Sequence, residues 1–224
     1  MNYYVVETDK HKLIQKTAGV KARQDVETIF KWNNFKKIEI PCLIEGRENK
    51  TRLGKIKAHY DVYMLWKNAL KKIKKNDWIY IQFPLLEHTM LFSLLIKNLE
   101  KRGIHTSIII HDVEAIRFTL RNDVPLSRKI RMRFEEISSF KNCSKIIVHN
   151  EKMKSFMHEK WKIHKDKMDI LGIFDYLVEN YNEELLEKRN LSRNVLINAT
   201  NQLSQNGSMG FIIPLSYIST PRIE

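Results

Sequence analysis

The sequence predicts an α/β fold, a parallel sheet flanked by helices. Three observations carry that expectation. Short β-branched runs alternate with helix-length amphipathic stretches along most of the chain. This is the order of βαβ units with right-handed crossovers. The runs are continuously apolar, which marks strands buried on both faces. The longest runs also stop abruptly in polar residues, as SIIIHDVEAIR (residues 107–117) does at His111 and Asp112. Ligands of open α/β sheets sit just beyond such carboxyl ends.

The elements follow in order. NYYVVET (2–8) is the first strand. A polar loop leads through AGVKARQDV (18–26) into a helix reaching about Trp32, with Val20, Val26, Ile29, Phe30 and Phe35 as its apolar stripe. A shorter strand is expected over 36–43. A long helix over 59–74 has Val62, Leu65, Trp66, Ala69, Leu70 and Ile73 at helical spacing, with lysines on its other face. Strand 77–83 precedes helix 87–102, which Gly103 ends as a C′ residue. Strand 105–110, helix 128–141 and strand 144–148 come next. Asn150 is placed to cap a helix over 151–161. The last strand of the sheet is expected over 168–171. Residues 178–200 look like a linker or exposed helix, with a possible strand at NVLINA (194–199). Residues 201–224 form an irregular tail. No internal repeat or low-complexity segment is present.

Composition bounds the function. With 224 residues and 43% hydrophobic side chains, the chain can build a real core and is not disordered. A net charge of +13, from 39 basic and 26 acidic residues, points either to an anionic partner or to solvated lysine-rich helix faces. The basic residues are not interleaved with aromatics, and no helix-turn-helix or RNP signature appears, so no specific nucleic acid is expected. The Lys-rich helix at about residues 55–75 could instead bring the protein to anionic lipid. Cys42 and Cys143 have no CxxC partner or metal spacing and read as buried thiols. No leader peptide is expected, since the opening residues read as a strand, and no apolar run approaches the roughly 20 residues that span a bilayer. The expected location is the cytoplasm, with peripheral contact at the inner face of the membrane.

Candidate site residues cluster at strand ends. Gly19, Lys21 and Arg23 lie where the first strand leads into a helix, and a helix N-terminus there would favour an anion. The plainer alternative is an ordinary βα loop. Gln82 and Pro84 end the third strand. His111 could act as a base or bind a hydroxyl, with Asp112 orienting it; alternatively Asp112 caps the next helix. His149 and Asn150 repeat that pattern after the fifth strand. No GxGxxG, P-loop or nucleophile elbow is present. A polar rim shared by several strands suits a hydroxyl-rich or phosphorylated ligand.

AGVKARQDV, WIYIQFP, IIIHDVEAIR, IIVHNEKM and IFDYL, in this order, resemble the N-terminal half of bacterial galactofuranosyltransferases. More distantly they resemble the glucosyltransferases that extend O-glycans on serine-rich adhesins. The resemblance spans about residues 1–180. It implies a Rossmann-like acceptor-side domain over 1–177, one half of a GT-B arrangement. It implies transfer from a UDP-sugar, with UDP-galactofuranose as the expected donor, to a glycan or lipid-linked acceptor for a bacterial surface glycan. No cofactor or metal is implied; the nucleotide sugar is a co-substrate. The same resemblance puts Gly19, Lys21 and Arg23 at the interdomain cleft. Gln82, His111, Asp112 and His149 fall on the acceptor side, with His111 or Asp112 as the catalytic base; Asn150, beside His149, is a further candidate for substrate binding.

Two departures qualify it. Members of such families continue into a donor-binding domain, which residues 192–199 resemble only at its start. From about Asn201 the tail NGSMGFIIPLSYISTPRIE instead resembles a late segment of adenine-specific DNA methyltransferases, without their NPPY or cofactor-glycine motifs. A truncated or fused reading frame, incomplete as an isolated enzyme, is the expectation. The alternatives are a non-catalytic module that binds an anionic glycan or lipid-linked intermediate and, less favoured, a nucleic-acid-associated protein suggested by the basic charge and the methyltransferase-like tail.

Overall fold

A computed structural model describes residues 1–8, 18–43, 51–118, 123–172 and 177. All fall in the compact unit Met1–Leu177. The expected linker, tail, second-domain strand and segment 173–176 lie outside the described residues, as does most of the loop after the first strand.

Among the described residues six parallel strands form one sheet. They are β1 (Asn2–Thr8), β2 (Lys36–Pro41), β3 (Trp78–Phe83), β4 (His105–Ile110), β5 (Lys145–Val148) and β6 (Met168–Ile170). Their spatial order is β2-β1-β3-β4-β5-β6. Tyr3 stands opposite Lys36 on one side of β1, and Asn2 opposite Trp78 on the other. The α/β fold with a parallel, helix-flanked sheet is therefore present.

The crossovers decide where the helices go. From β1 the chain steps to β2 on one side, and every later step runs the other way. Right-handed connections then place the first helix on one face and the rest on the opposite face. The cores agree. Val26 and Phe30 of α1 (Ala18–Trp32) pack on Tyr4, Val6 and Ile109. The larger core joins Trp66 of α2 (Arg52–Ala69), Phe92 of α3 (Phe92–Lys101), Phe140 and Met157 to the other sheet face. Within β4 the period-2 alternation splits Ile108 and Ile110 from Ile109.

Three elements differ from expectation. α2 begins at Arg52, seven residues early, because Thr51 caps it: its Oγ1 accepts the Gly54 N–H at 3.2 Å. α3 begins at Phe92 rather than at residue 87. Thr89 instead belongs to a turn, where its Oγ1 donates to His59 O at 2.9 Å. The segment after β4 is broken into α4 (Glu114–Arg117), α5 (Leu126–Met132), a π-helical turn (Arg133–Ile137) and α6 (Ser138–Asn142). α7 (Glu151–Trp161) is capped as expected, with Asn150 Oδ1 accepting the Met153 N–H at 2.9 Å. Gly103 sits at φ +73° after α3. Cys42 and Cys143 are buried and form no disulfide.

Candidate functional site

The order in which strands are added reverses between β1 and β3, since β1 connects outward to β2 while β3 and its successors are added on the other side of β1. At such a switch point the flanking helices diverge and leave a crevice at the strands' carboxyl ends. The structure has a cavity of about 330 Å³ there. Glu7 from β1, Arg23 and Glu27 from α1, Trp66 from α2, Gln82 from β3 and Leu86 from the following turn line it.

Several predicted residues converge on this crevice. Arg23 and Gln82 form part of its wall, and Gln82 Nε2 donates to Arg23 O at 3.3 Å. The Arg23 guanidinium donates to Pro84 O, across the turn that follows β3. His111 Nε2 lies 2.7 Å from Gln82 Oε1. That amide oxygen accepts, so Nε2 carries the proton. His149 Nε2 in turn donates to His111 O at 3.3 Å. One hydrogen-bonded chain thus links the ends of β5, β4 and β3 to α1.

The other predicted residues are engaged elsewhere. Asp112 accepts the Val113 N–H at 2.8 Å and forms an ion pair with Arg117, as a residue ordering the α4 turn would. Lys21 pairs with Asp25 and donates to Leu177 O at 2.8 Å, while Asp25 accepts the Leu177 N–H at 3.1 Å. Gly19 lies in the first turn of α1 rather than in a loop. Asn150 spends its side chain on the α7 cap.

Electrostatics separates the titratable groups. Burial, with smaller help from Arg23 and His149, lowers His111 to about 4. Its imidazole is neutral at physiological pH. Burial raises Glu7 to about 7, against the opposing N–H groups of Leu86 and Glu87 and the charges of Arg23 and His88. Glu27 is raised by burial, and Arg23 lowered by it. Among the described residues no group of three His, Cys, Asp or Glu side chains is placed to hold a metal ion. The crevice therefore offers amide, guanidinium and carboxyl groups from Gln82, Arg23, Glu7 and Glu27, with the His111 imidazole one hydrogen bond behind its wall. That is a set suited to hydroxyl hydrogen bonding.

A family model described as "Glucosyltransferase 3-like, N-terminal domain" matches residues 2–192. The chain belongs to that family. No curated protein matches it. The glucosyltransferase 3-like domain thus covers the whole sheet and places the switch-point crevice inside a glycosyltransferase family's N-terminal domain.

Sequence reasoning missed Glu7, Glu27 and His88. The signal for Glu7 was available, because NYYVVET ends an apolar strand in a carboxylate. That is the same pattern that drew attention to His111. Glu27 reads as a surface residue of a helix, and His88 lies inside an expected helix that the fold spends on a turn.

Proposed function

We propose that this domain supplies the acceptor side of a sugar transfer, in which a glycan hydroxyl attacks the anomeric carbon of a UDP-sugar. The switch-point crevice, in a domain of a glucosyltransferase 3-like family, carries the reading. Gln82, His111 and Arg23 hold the acceptor's hydroxyls, and His149 secures His111. Asp112, through Arg117, orders the rim beside them. Gly19 and Lys21 lie in the first turn of α1, and Asn150 caps α7. The donor is a UDP-hexose. UDP-galactofuranose follows from the motif resemblance, and UDP-glucose is its competitor from the family's description.

Amide resonances test this directly. Titrating methyl glucoside, galactoside or N-acetylglucosaminide should shift Gln82, His111 and Arg23. UDP should leave them still. Shifts from UDP with none from any glycoside would reverse the assignment to the donor side.

The same reading places the domain at the cytoplasmic face of an anionic membrane, where lipid-linked acceptors reside. The unexpected first turns of α2 support it. Leu53, Ile56 and Tyr60 recur at i, i+3 and i+7 and are 79%, 66% and 53% exposed, beside Lys55 and Lys57. An exposed apolar stripe flanked by lysines suits an anionic interface. The protein should float with vesicles containing phosphatidylglycerol and not with pure phosphatidylcholine. Replacing Leu53 and Ile56 by Ser should weaken flotation at least about tenfold, since each apolar side chain contributes on the order of 1.5–3 kcal/mol when buried. Equal binding to neutral vesicles would exclude the electrostatic part.

A further inference from the structure

Glu7 occupies a distinctive place in the crevice. It ends β1, and it lies two residues beyond Val5, whose side chain enters the larger core. Its carboxylate is fixed by two backbone donors from the turn after β3. Leu86 N–H reaches Oε2 at 2.8 Å, and Glu87 N–H reaches Oε1 at 3.2 Å. Each oxygen keeps further acceptor capacity. The charged groups around it come from two elements. Arg23 and Glu27 lie on α1, His88 on the turn after β3, and the Glu87 carboxyl is engaged by Leu43 N–H at 2.5 Å.

We propose that Glu7 is the carboxylate that accepts the acceptor hydroxyl's hydrogen bond in this crevice and is placed to take its proton. This rests on the acceptor reading above. In the transfer, the hydroxyl oxygen bonds to the anomeric carbon of the nucleotide sugar. The bond from that carbon to the diphosphate oxygen breaks, and its electron pair leaves with the nucleoside diphosphate. The hydroxyl proton passes to Glu7 and then to water. Geometry favours Glu7 over the two residues expected from sequence. His111 commits Nε2 to Gln82 and holds a proton only weakly. Asp112 is occupied by Arg117 and the Val113 N–H. A base that titrates near the working pH is the efficient one for taking a hydroxyl proton, and Glu7 does so.

The test uses the full chain with selectively ¹³C-carboxyl-labelled glutamate and the same three methyl glycosides. Affinity should fall about tenfold between pH 8 and pH 6, following the ionised fraction of a group titrating near 7. The Glu7 carboxyl midpoint should move when the glycoside saturates the site. Glu7→Gln should bind more weakly and lose the pH dependence, while Glu27→Gln keeps it. A purely structural Glu7 would give a different result. Glu7→Gln would then shift the Leu86 and Glu87 amides yet leave affinity and its pH profile unchanged, which overturns the proposal. So does a pH dependence that disappears with Glu27 instead. Glycosides that shift Gln82 and His111 with a flat pH profile remove Glu7 alone. Glycosides that shift neither residue at any pH remove the acceptor reading and Glu7's role with it.

Discussion

Phe92→Ala should cost about 3–5 kcal/mol of folding stability, the range for truncating a fully buried aromatic side chain. Phe92 opens α3 and is 0% exposed. Its ring meets Trp66 of α2 edge-on, with centroids 5.2 Å apart, and lies 6.5 Å from Phe83 of β3. Phe83 continues the contact to Phe140 at 5.2 Å. One aromatic spine therefore ties α2, α3, β3 and α6 together, and alanine removes a ring from its middle. The surroundings cannot collapse into the gap without moving Trp66, which also lines the crevice. Since domains of this kind are stable by about 5–15 kcal/mol, the loss is a large share of the total. Urea unfolding followed by tryptophan fluorescence should show a lower midpoint with an unchanged slope. Leu53→Ala, at a side chain on the exposed α2 stripe, should stay within about 0.5 kcal/mol of the parent. A Phe92→Ala midpoint as close to the parent as that of Leu53→Ala would show that the spine does not hold the core.

Such a spine was legible in outline. Trp66 and Phe83 stood at the right spacing in strongly apolar elements, and strand boundaries came out within about a residue or two because buried β-branched runs have sharp polar ends. Helix starts were harder. Lysines around Lys55 and Lys57 masked the first turns of α2, and the cap that begins it is a single threonine. Residues 128–141 read as one continuous helix. A π turn adds a residue to the ring there and rotates the Glu135 and Glu136 carboxylates inward, to 0% exposure. For the site, Gln82 and His111 were readable as polar residues at strand ends, and Arg23 as a basic residue where the first strand leads into a helix. The position of the crevice was not. It depends on strand order, which is set by the direction each crossover takes in three dimensions and not by local pattern. Attention therefore went to the end of β4, while the cavity opens between β1 and β3.

The buried glutamates carry the second large effect. Glu136 accepts the Ala115 N–H at 2.8 Å through Oε2, and its Oε1 has no hydrogen-bond partner among the described residues. Burial, reinforced by Glu114 and Glu135 and opposed by the Ala115 N–H and more weakly by Arg131, raises it from 4.5 to about 7. In the unfolded chain the same carboxyl ionises around 4.5. Between those values the folded state holds the proton and the unfolded state does not, so stability falls as pH rises through this window. A shift of this size corresponds to about 3 kcal/mol. The parent's own curve mixes several groups. Glu7, also raised to about 7, adds to the decline, whereas His111, lowered to about 4, opposes it below about 6.5. Glu136→Gln isolates the one carboxyl, because the other groups cancel in the difference. At pH 4 the protonated carboxyl and the amide are near-isosteric, and the two proteins should differ only by a pH-independent offset. From pH 4.5 to 7 the variant should gain on the parent, reaching an advantage of about 3 kcal/mol that then stays constant to pH 8. The buried amide nitrogen, if unpaired, subtracts a pH-independent amount of about 1–3 kcal/mol. The slope of the difference, not its offset, is therefore the diagnostic. A difference that is flat from pH 4 to pH 8 would mean that Glu136 meets water or a cation on ionising, and that the π turn does not hold a neutral acid.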